Sequence, residues 1–377
     1  MKDSRLHLHW EKDSAAAFRT AVSLHSHTLH SRESMEFVHL ATKGIPWLGA
    51  AVHRQELKYR AIKGRDLDLR RAWWTPPLSA GQAWRLEKCQ IETKLGKTAL
   101  VSLSDHDNIE AASQLSLLED TADCPVSVEW TVPFRGTFFH IGVHNIPAET
   151  AAARMREMHQ STASPNEARS AELLEALGEP KESLIVFNHP VWDENQVGAE
   201  AHAAYLSAFL GRCRPFLHAI ELNGLRPWKE NRKAAQLAAS LSLPVISGGD
   251  RHGREPNANL NLTNAATFGE FAEEIRRDGW SDVLFMPQYR DSLRFRILEN
   301  LCDIVADDPE HAMGWKQWSD RVFYLTDEGI VKSLKEFWGS RIPGVVNQFV
   351  GLMNFMKNRN IREALRMALY EGEEVAL

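Results

Sequence analysis

The chain has 377 residues, with 44 Lys and Arg against 50 Asp and Glu for a net charge of −6. That length suits one large α/β barrel or two ordinary domains, and 44% hydrophobic with 25% charged residues is the usual balance of a soluble globular protein. The acidic balance argues against a dedicated nucleic-acid surface, and no apolar run of 18 residues offers a spanning helix.

The start, Met1 to Arg5, is charged and is not followed by an apolar stretch of signal-peptide length. The four cysteines (Cys89, Cys124, Cys213, Cys302) are scattered and form no C-x-x-C pair, so they read as free thiols. Together these features point to a cytoplasmic protein. Leu6–Trp10 alternates like a short leading strand and carries His7 and His9. A second His-x-His follows at His25 and His27, within Ala21–Thr28, which reads as a strand. Residues two apart on a strand share a face, so two neutral imidazole nitrogens are offered to one divalent cation. The loop Leu29–Glu33 follows. Residues 34–74 read as an insertion that covers the site or packs on its rim. It has apolar runs at Phe37–Leu40 and Trp47–Val52, and a charged stretch, Arg54–Arg71, best read as a solvated helix face.

Ser79 precedes a helical pattern that Gly96 ends. Ala99–Leu103 is a buried strand with Ser104-Asp105-His106 at its end. Val126–Thr131 is a strand carrying Glu129, and Phe138–Val143 another, carrying His140 with His144 just beyond it. Residues 148–178 read as helical. Leu184–Phe187 is a strand ending at Asn188-His189-Pro190, residues 199–212 are helical, and Ala219–Asn223 is the next strand. Asn231–Leu241 is a helix, and Pro244–Gly249 is a strand ending at Asp250-Arg251-His252. The alternation of strand and helix implies parallel strands with helical crossovers. Past residue 290 the patterns over 291–306, 328–339 and 342–371 are helical. In the last, Val345, Val346, Phe349, Val350, Met353 and Met356 recur at helical spacing.

Candidate ligands fall repeatedly where a strand stops, which in barrels of parallel strands is the face that carries active sites. The set is His25, His27, Glu33, Asp105, His106, Glu129, His140, His189, Asp250 and His252. Many histidines with a few carboxylates suit Mn, Fe or Zn. The set is too large for one tetrahedral ion, so two or three metal ions sharing Glu129 are expected. Asp105, one residue before His106, is placed to orient a ligand rather than to bind metal. His144 is a reserve candidate.

The series His25-x-His27-Thr, Ser-Asp105-His106, Val-Glu129 followed by Phe-His140-Ile-Gly, Asn-His189-Pro and Gly-Asp250-x-His252-Gly resembles the polymerase and histidinol phosphatase (PHP) superfamily, in order over roughly residues 20–290. The resemblance implies a distorted (β/α)7 barrel with a trinuclear metal site that hydrolyses phosphomonoesters or phosphodiesters. The fold expected is therefore α/β, a barrel over 1–290 with the insertion at about 34–74 and a C-terminal helical extension over 291–377. The resemblance also implies ligand groupings. The first metal takes His25, His27, Glu129 and Asp250, and the second takes Glu129, His140 and His189. The third takes His106, His252 and one residue from the loop after the first strand. That loop commonly reads Ser-Asp-Gly in the family and here reads Ser31-Arg32-Glu33. Arg32 cannot ligate a cation, which leaves Glu33 as the substitute.

In the expected mechanism a metal-held hydroxide attacks phosphorus in line. Arg226, Arg251 and Arg254 are the candidates to grip phosphate, with Arg135 a weaker one. Asp105, Asp250 and His252 are the candidates for proton transfer to the leaving group. Two other readings compete. An amidohydrolase-type deaminase or lactonase also opens on His-x-His, but commonly bridges its metals with a carboxylated Lys, and no strand-end Lys stands out here. A degenerate, non-catalytic scaffold has only Arg32 in its favour. The expected partner is a small phosphorylated substrate or a short oligonucleotide, with no membrane role. No motif marks a base pocket, a sugar site or a single-strand channel.

Overall fold

The computed structural model describes residues 5–35, 46–339 and 342–370. The apolar run Phe37–Leu40 lies outside them. The strands among these residues are β1 (Arg5–Leu8), β2 (Thr20–Ser23), β3 (Glu33–Ser34), β4 (Ala72–Trp74), β5 (Thr98–Val101), β6 (Val128–Phe134), β7 (Thr137–His144), β8 (Leu184–Phe187), β9 (Ala219–Asn223), β10 (Val245–Gly248), β11 (Asn259–Thr263), β12 (Asp282–Phe285), β13 (Val322–Leu325) and β14 (Val331–Ser333). They form three separate sheets, ordered β1-β12-β11-β2-β5, β10-β9-β8-β7-β6 and β14-β13-β4-β3.

None of the three closes on itself, so the expected (β/α)7 barrel is not what the chain builds. The physical reason lies in strand direction. β6 and β7 pair antiparallel from Val128 opposite Val143 to Phe134 opposite Thr137, and only Arg135 and Gly136 connect them. A parallel crossover needs a dozen or more residues, whereas two suffice for a hairpin. Arg135 takes φ +54° in that turn. β7 and β8 are also antiparallel, and β11 runs antiparallel to both β12 and β2. The first two sheets meet through isolated bridges, Ser26 with Arg251 and His106 with Glu129, not through a continuous ladder.

The chain divides into two compact units. One comprises Met1–Ser31, Leu78–Asn300 and Arg366–Leu377, and the other Arg32–Pro77 and Leu301–Leu365. The first holds both five-stranded sheets. In its second sheet the pleat sorts side chains by parity. Val128, Trp130, Val132 and Phe134 of β6, Phe139, Ile141 and Val143 of β7, and Ile220 and Leu222 of β9 enter one core with Phe187 and Phe209. Glu129, His140 and Glu221 therefore project from the opposite face. Helices Ala148–Ala163, Glu167–Gly178 and Ala199–Cys213 cover the core face with Met155, Met158, Leu173, Leu177 and Phe209. The expected helical run 148–178 is two helices: Pro165 interrupts it, and Asn166 caps the second by accepting from the Ala168 and Arg169 amides. The helix Ala80–Gln90 begins as the sequence indicates, with Ser79 and Gln82 forming a reciprocal capping box.

In the second unit β13 pairs antiparallel with both β14 and β4. The stretch after residue 290 is thus not the all-helical extension expected. Asp327 holds Arg65 and Arg71, and the buried Arg321 donates from Nη2 to the carbonyls of Ile304 and Ala306. Helices Gly344–Met356 and Arg359–Ala368 follow. Among the described residues no helix is long and apolar enough to cross a membrane.

Candidate metal centre

The first ligand pair does not lie on a strand. β2 stops at Ser23, and His25 sits at φ +59°. His189 (φ +27°) and Asp250 (φ +53°) share the left-handed region, which costs a non-glycine residue about 1–3 kcal/mol and persists only where the surroundings enforce it. For His25 and Asp250 the backbone enforces it. The His25 carbonyl accepts from the Asp250 amide (2.7 Å), the His27 amide donates to the Arg251 carbonyl (2.9 Å), and the Glu129 amide donates to the Asp105 carbonyl (3.1 Å).

Glu129 is the hub and is wholly buried. Its Oε2 lies 2.9 Å from His25 Nε2, 3.4 Å from His27 Nε2 and 3.2 Å from His106 Nδ1. Its Oε1 lies 3.1 Å from His189 Nε2 and 3.7 Å from His140 Nδ1, and accepts from Asn188 Nδ2 at 2.9 Å. Asp250 Oδ1 stands 3.4 Å from His27 Nε2, 3.6 Å from His25 Nε2 and 3.5 Å from His252 Nδ1. Donor atoms around one ion at about 2.1 Å are separated by about 3.0–3.4 Å, so these spacings suit shared cations. Among the described residues, ligand-type atoms converge in four overlapping groups, each within 4.8 Å: His25, His27 and Glu129; His106, Glu129 and His140; His140, His189 and Glu194; and one that includes His27, His106 and His252.

Two further observations test the fit. His25 Nε2 and Glu129 Oε2, although 2.9 Å apart, make no aligned hydrogen bond, and both are sealed from solvent. Buried polar atoms left that way are costly unless something else satisfies them. The field also favours positive charge. Burial opposes protonation of His25, yet Glu129, Glu221 and Asp250 raise its pKa well above the ordinary value. Burial likewise works against ionised Glu129, and the surrounding His25, His106 and His140 hold it well below the usual carboxylate range. His140 is pushed down by burial and stays neutral, as a ligand must. These histidine and carboxylate clusters could hold divalent metal.

The supporting groups come from residues that motif reading passed over. Glu221 accepts from His25 Nδ1 at 2.5 Å, which in the neutral imidazole fixes the proton there and leaves Nε2 with its lone pair. Its Oε2 accepts from the His189 amide (2.8 Å) and Asn223 Nδ2 (2.9 Å). Asn223 also donates to Asp250 Oδ2. Gly248 makes room for Glu221, since a Cβ there would stand 1.7 Å from Oε1. The signal the sequence carries for Glu221 is a lone charge among apolar neighbours in β9, whereas the complete burial of Glu87 in helix Ala80–Gln90 shows only in the structure.

The remaining sequence candidates are placed as follows. Both carboxylate oxygens of Asp105 are engaged by Thr28, from its amide at 2.5 Å and its hydroxyl at 2.8 Å. Arg251 is buried, with Nε on Glu87 Oε1 (2.9 Å), Nη1 on the Gly253 carbonyl and Nη2 on the His27 carbonyl. The Arg226 guanidinium lies over the Trp192 ring, 3.3 Å from its centroid, and Trp192 meets His189 edge to face. Arg254 is half-buried, two residues past His252, and Arg135 is exposed beside Glu167. His144 lies apart from the four groups, with Nδ1 2.8 Å from Ser102 Oγ; burial pushes its pKa down to about 3. Glu33 is buried in the second unit, on β3.

No family model matches the chain, and no curated protein matches it. Among solved structures it is similar to PsfC from Pseudomonas syringae PB-5123, at 14% identity over 58% of this chain and 88% of that one, with a TM-score of 0.37. It is also similar to an amidohydrolase from Chromobacterium violaceum with bound sulfate and no metal, at 14% identity over 47% and 83% with a TM-score of 0.32. A protein from Bifidobacterium adolescentis, named provisionally as a metal-dependent phosphoesterase, matches at 16% identity over 54% and 91% with a TM-score of 0.30. Likenesses this faint leave the chemistry to be argued from the residues themselves.

Proposed function

We propose that this chain is a metal-dependent hydrolase of phosphate esters, a reading that the order of the PHP-like motifs in the sequence also favours. The observation that carries it is Glu129, a buried carboxylate whose two oxygens face different sets of histidines, as a bridge between ions would. In this reading His25, His27, Glu129 and Asp250 hold one cation and Glu129, His140 and His189 a second. His106 and His252 serve a third. Mn, Fe or Zn fits such donors. Divalent ions so bound supply Lewis acidity toward a phosphoryl oxygen and acidify water.

The chain's own residues do the rest. Glu221 sets the tautomer of His25 and, through the His189 amide, the start of the next ligand loop. Asn188 and Asn223 each hold one oxygen of Glu129 and Asp250, respectively, which orients the opposite oxygen. Asp105 positions His27 through Thr28. Asp250 and His252, side by side, serve here as ligands rather than as proton donors, since, against the effect of burial, the neighbouring histidines hold Asp250 ionised. Arg226, stacked on Trp192 beside His189, is the cation offered to substrate phosphate. Arg251 is engaged within the protein and acts by positioning.

The test is phosphate release with added Mn from mononucleotides, bisphosphates, sugar phosphates and short oligonucleotides, run beside amides and lactones. Turnover of a phosphate ester that His189→Ala and His252→Ala each abolish, with unchanged circular dichroism, is the expected result. Turnover of amides or lactones alone, or full phosphatase activity in both variants, overturns it.

A further inference from the structure

Beyond the ligands that the motifs point to, the segment after His189 carries a carboxylate that no motif marks. We propose that Glu194 is a metal ligand, the second carboxylate of the His140 and His189 position; this rests on the metal-centre reading above.

Four observations support it. Glu194 Oε2 lies 3.5 Å from His140 Nδ1. The ligand atoms of His140, His189 and Glu194 all lie within 4.8 Å of one another. The segment is built to present this side chain. Asp193 closes the turn, its Oδ1 accepting from the Val197 amide (3.0 Å) and its Oδ2 from the Gly198 amide (2.8 Å). Asn195 ties the segment to the β6–β7 turn by donating to the Gly136 carbonyl (3.2 Å). Gln196 and Gly198, both at positive φ, reverse the chain into helix Ala199–Cys213. Asp193 is thus used up by its own turn and Glu194, between two anchored neighbours, is not. Finally, Glu194 is 30% exposed, so it stands where the buried donors meet solvent. With Glu129 it gives this position two histidines and two carboxylates. That is a harder donor set than imidazoles alone, and it favours Mn or Fe over softer ions.

The experiment measures metal rather than turnover. The apo protein is titrated with Mn alone, bound Mn per chain is counted by mass spectrometry after gel filtration, and dissociation constants are read by competition with a chelating dye. Wild type is compared with Glu194→Gln, Glu194→Ala and Glu200→Gln, the last removing an exposed charge from the adjoining helix. Melting curves of the apo forms control for folding, and the near-isosteric glutamine variant carries the test should the alanine variant fold poorly. The expected result is that both Glu194 variants lose about one Mn per chain or bind it at least about 10-fold more weakly, while Glu200→Gln matches wild type. Wild-type stoichiometry and affinity in Glu194→Gln, or an equal loss in Glu200→Gln, overturns the assignment and leaves the metal centre standing. A wild-type protein that binds no Mn, Fe or Zn overturns the metal centre and this ligand with it.

Discussion

Replacing Glu221 by glutamine tests the joint on which the first ligand pair depends. The carboxylate serves three donors with two oxygens: His25 Nδ1 (2.5 Å) on one, and the His189 amide (2.8 Å) and Asn223 Nδ2 (2.9 Å) on the other. Glutamine offers one acceptor and one donor at the same places, so one side faces a donor with a donor. If its NH2 faces the peptide amide, a buried N–H goes unsatisfied at about 1–3 kcal/mol. If it faces His25, the imidazole must move its proton to Nε2, the atom 2.9 Å from Glu129, and a protonated Nε2 cannot bind a cation. Loss of an outer partner of this kind lowers metal affinity about 10–100-fold, or about 1.4–2.7 kcal/mol. The upper end is expected, because the shift disables the ligand atom itself. Mn titration with a competing dye reads the affinity, and urea melts of the apo form read the fold. Wild-type affinity in Glu221→Gln would refute the claim that Glu221 sets the state of His25.

Two further predictions concern the frame around the centre. The Arg251–Glu87 pair is sealed from solvent, and Glu87 also accepts from Ser23 and the Asn257 amide. Arg251→Met should therefore cost about 3–5 kcal/mol by stranding a buried charge, and adding Glu87→Gln should recover part of it. Urea melts that show the two changes to be simply additive would count against the pairing. His218 accepts from the Ile185 amide at 2.9 Å, and burial, helped by Arg276, pushes its pKa down to about 3. The unfolded chain takes up this proton near pH 6.5 and the folded one does not, so stability falls as pH drops below 6.5. At pH 5 the loss from this group is about 2 kcal/mol. His218→Asn should flatten the decline between pH 7.5 and 5 by that amount, and an unchanged slope would refute it.

Several elements were legible because their signals are local. Leu184–Phe187 and Ala219–Asn223 are apolar runs bounded by turn residues, and both are strands over those residues. His25, His27 and His189 follow the ends of β2 and β8, as the sequence suggested, whereas Glu129 is the second residue of β6 and His140 lies mid-strand in β7, so those two meet the others through the face they share. Strand direction was not legible in the same way, since an apolar run reads alike in parallel and antiparallel sheets. The Arg135-Gly136 turn was the available sign of a hairpin, and the apparent alternation of strand and helix outweighed it. Asn259–Thr263 alternates asparagine with leucine and hid a strand whose asparagines are buried: Asn261 donates to the Ser247 hydroxyl and Asn259 to the Leu222 carbonyl. The outer partners were hidden for another reason. Glu221 lies 196 residues from His25, and a lone carboxylate carries no spacing rule that ties it to so distant a ring.

The seam between the two sheets of the first unit has a consequence for how cations and folding are linked. His25, His27 and His106 follow strands of the first sheet, whereas Glu129, His140, His189, Asp250 and His252 belong to strands of the second or follow them. Three of the four donor groups draw on both sides, so an ion seated in any of them would be a rivet through the seam. Because such an ion would bind the folded chain and not the unfolded one, loading it would stabilise both sheets together and stripping it would take that share of stability away.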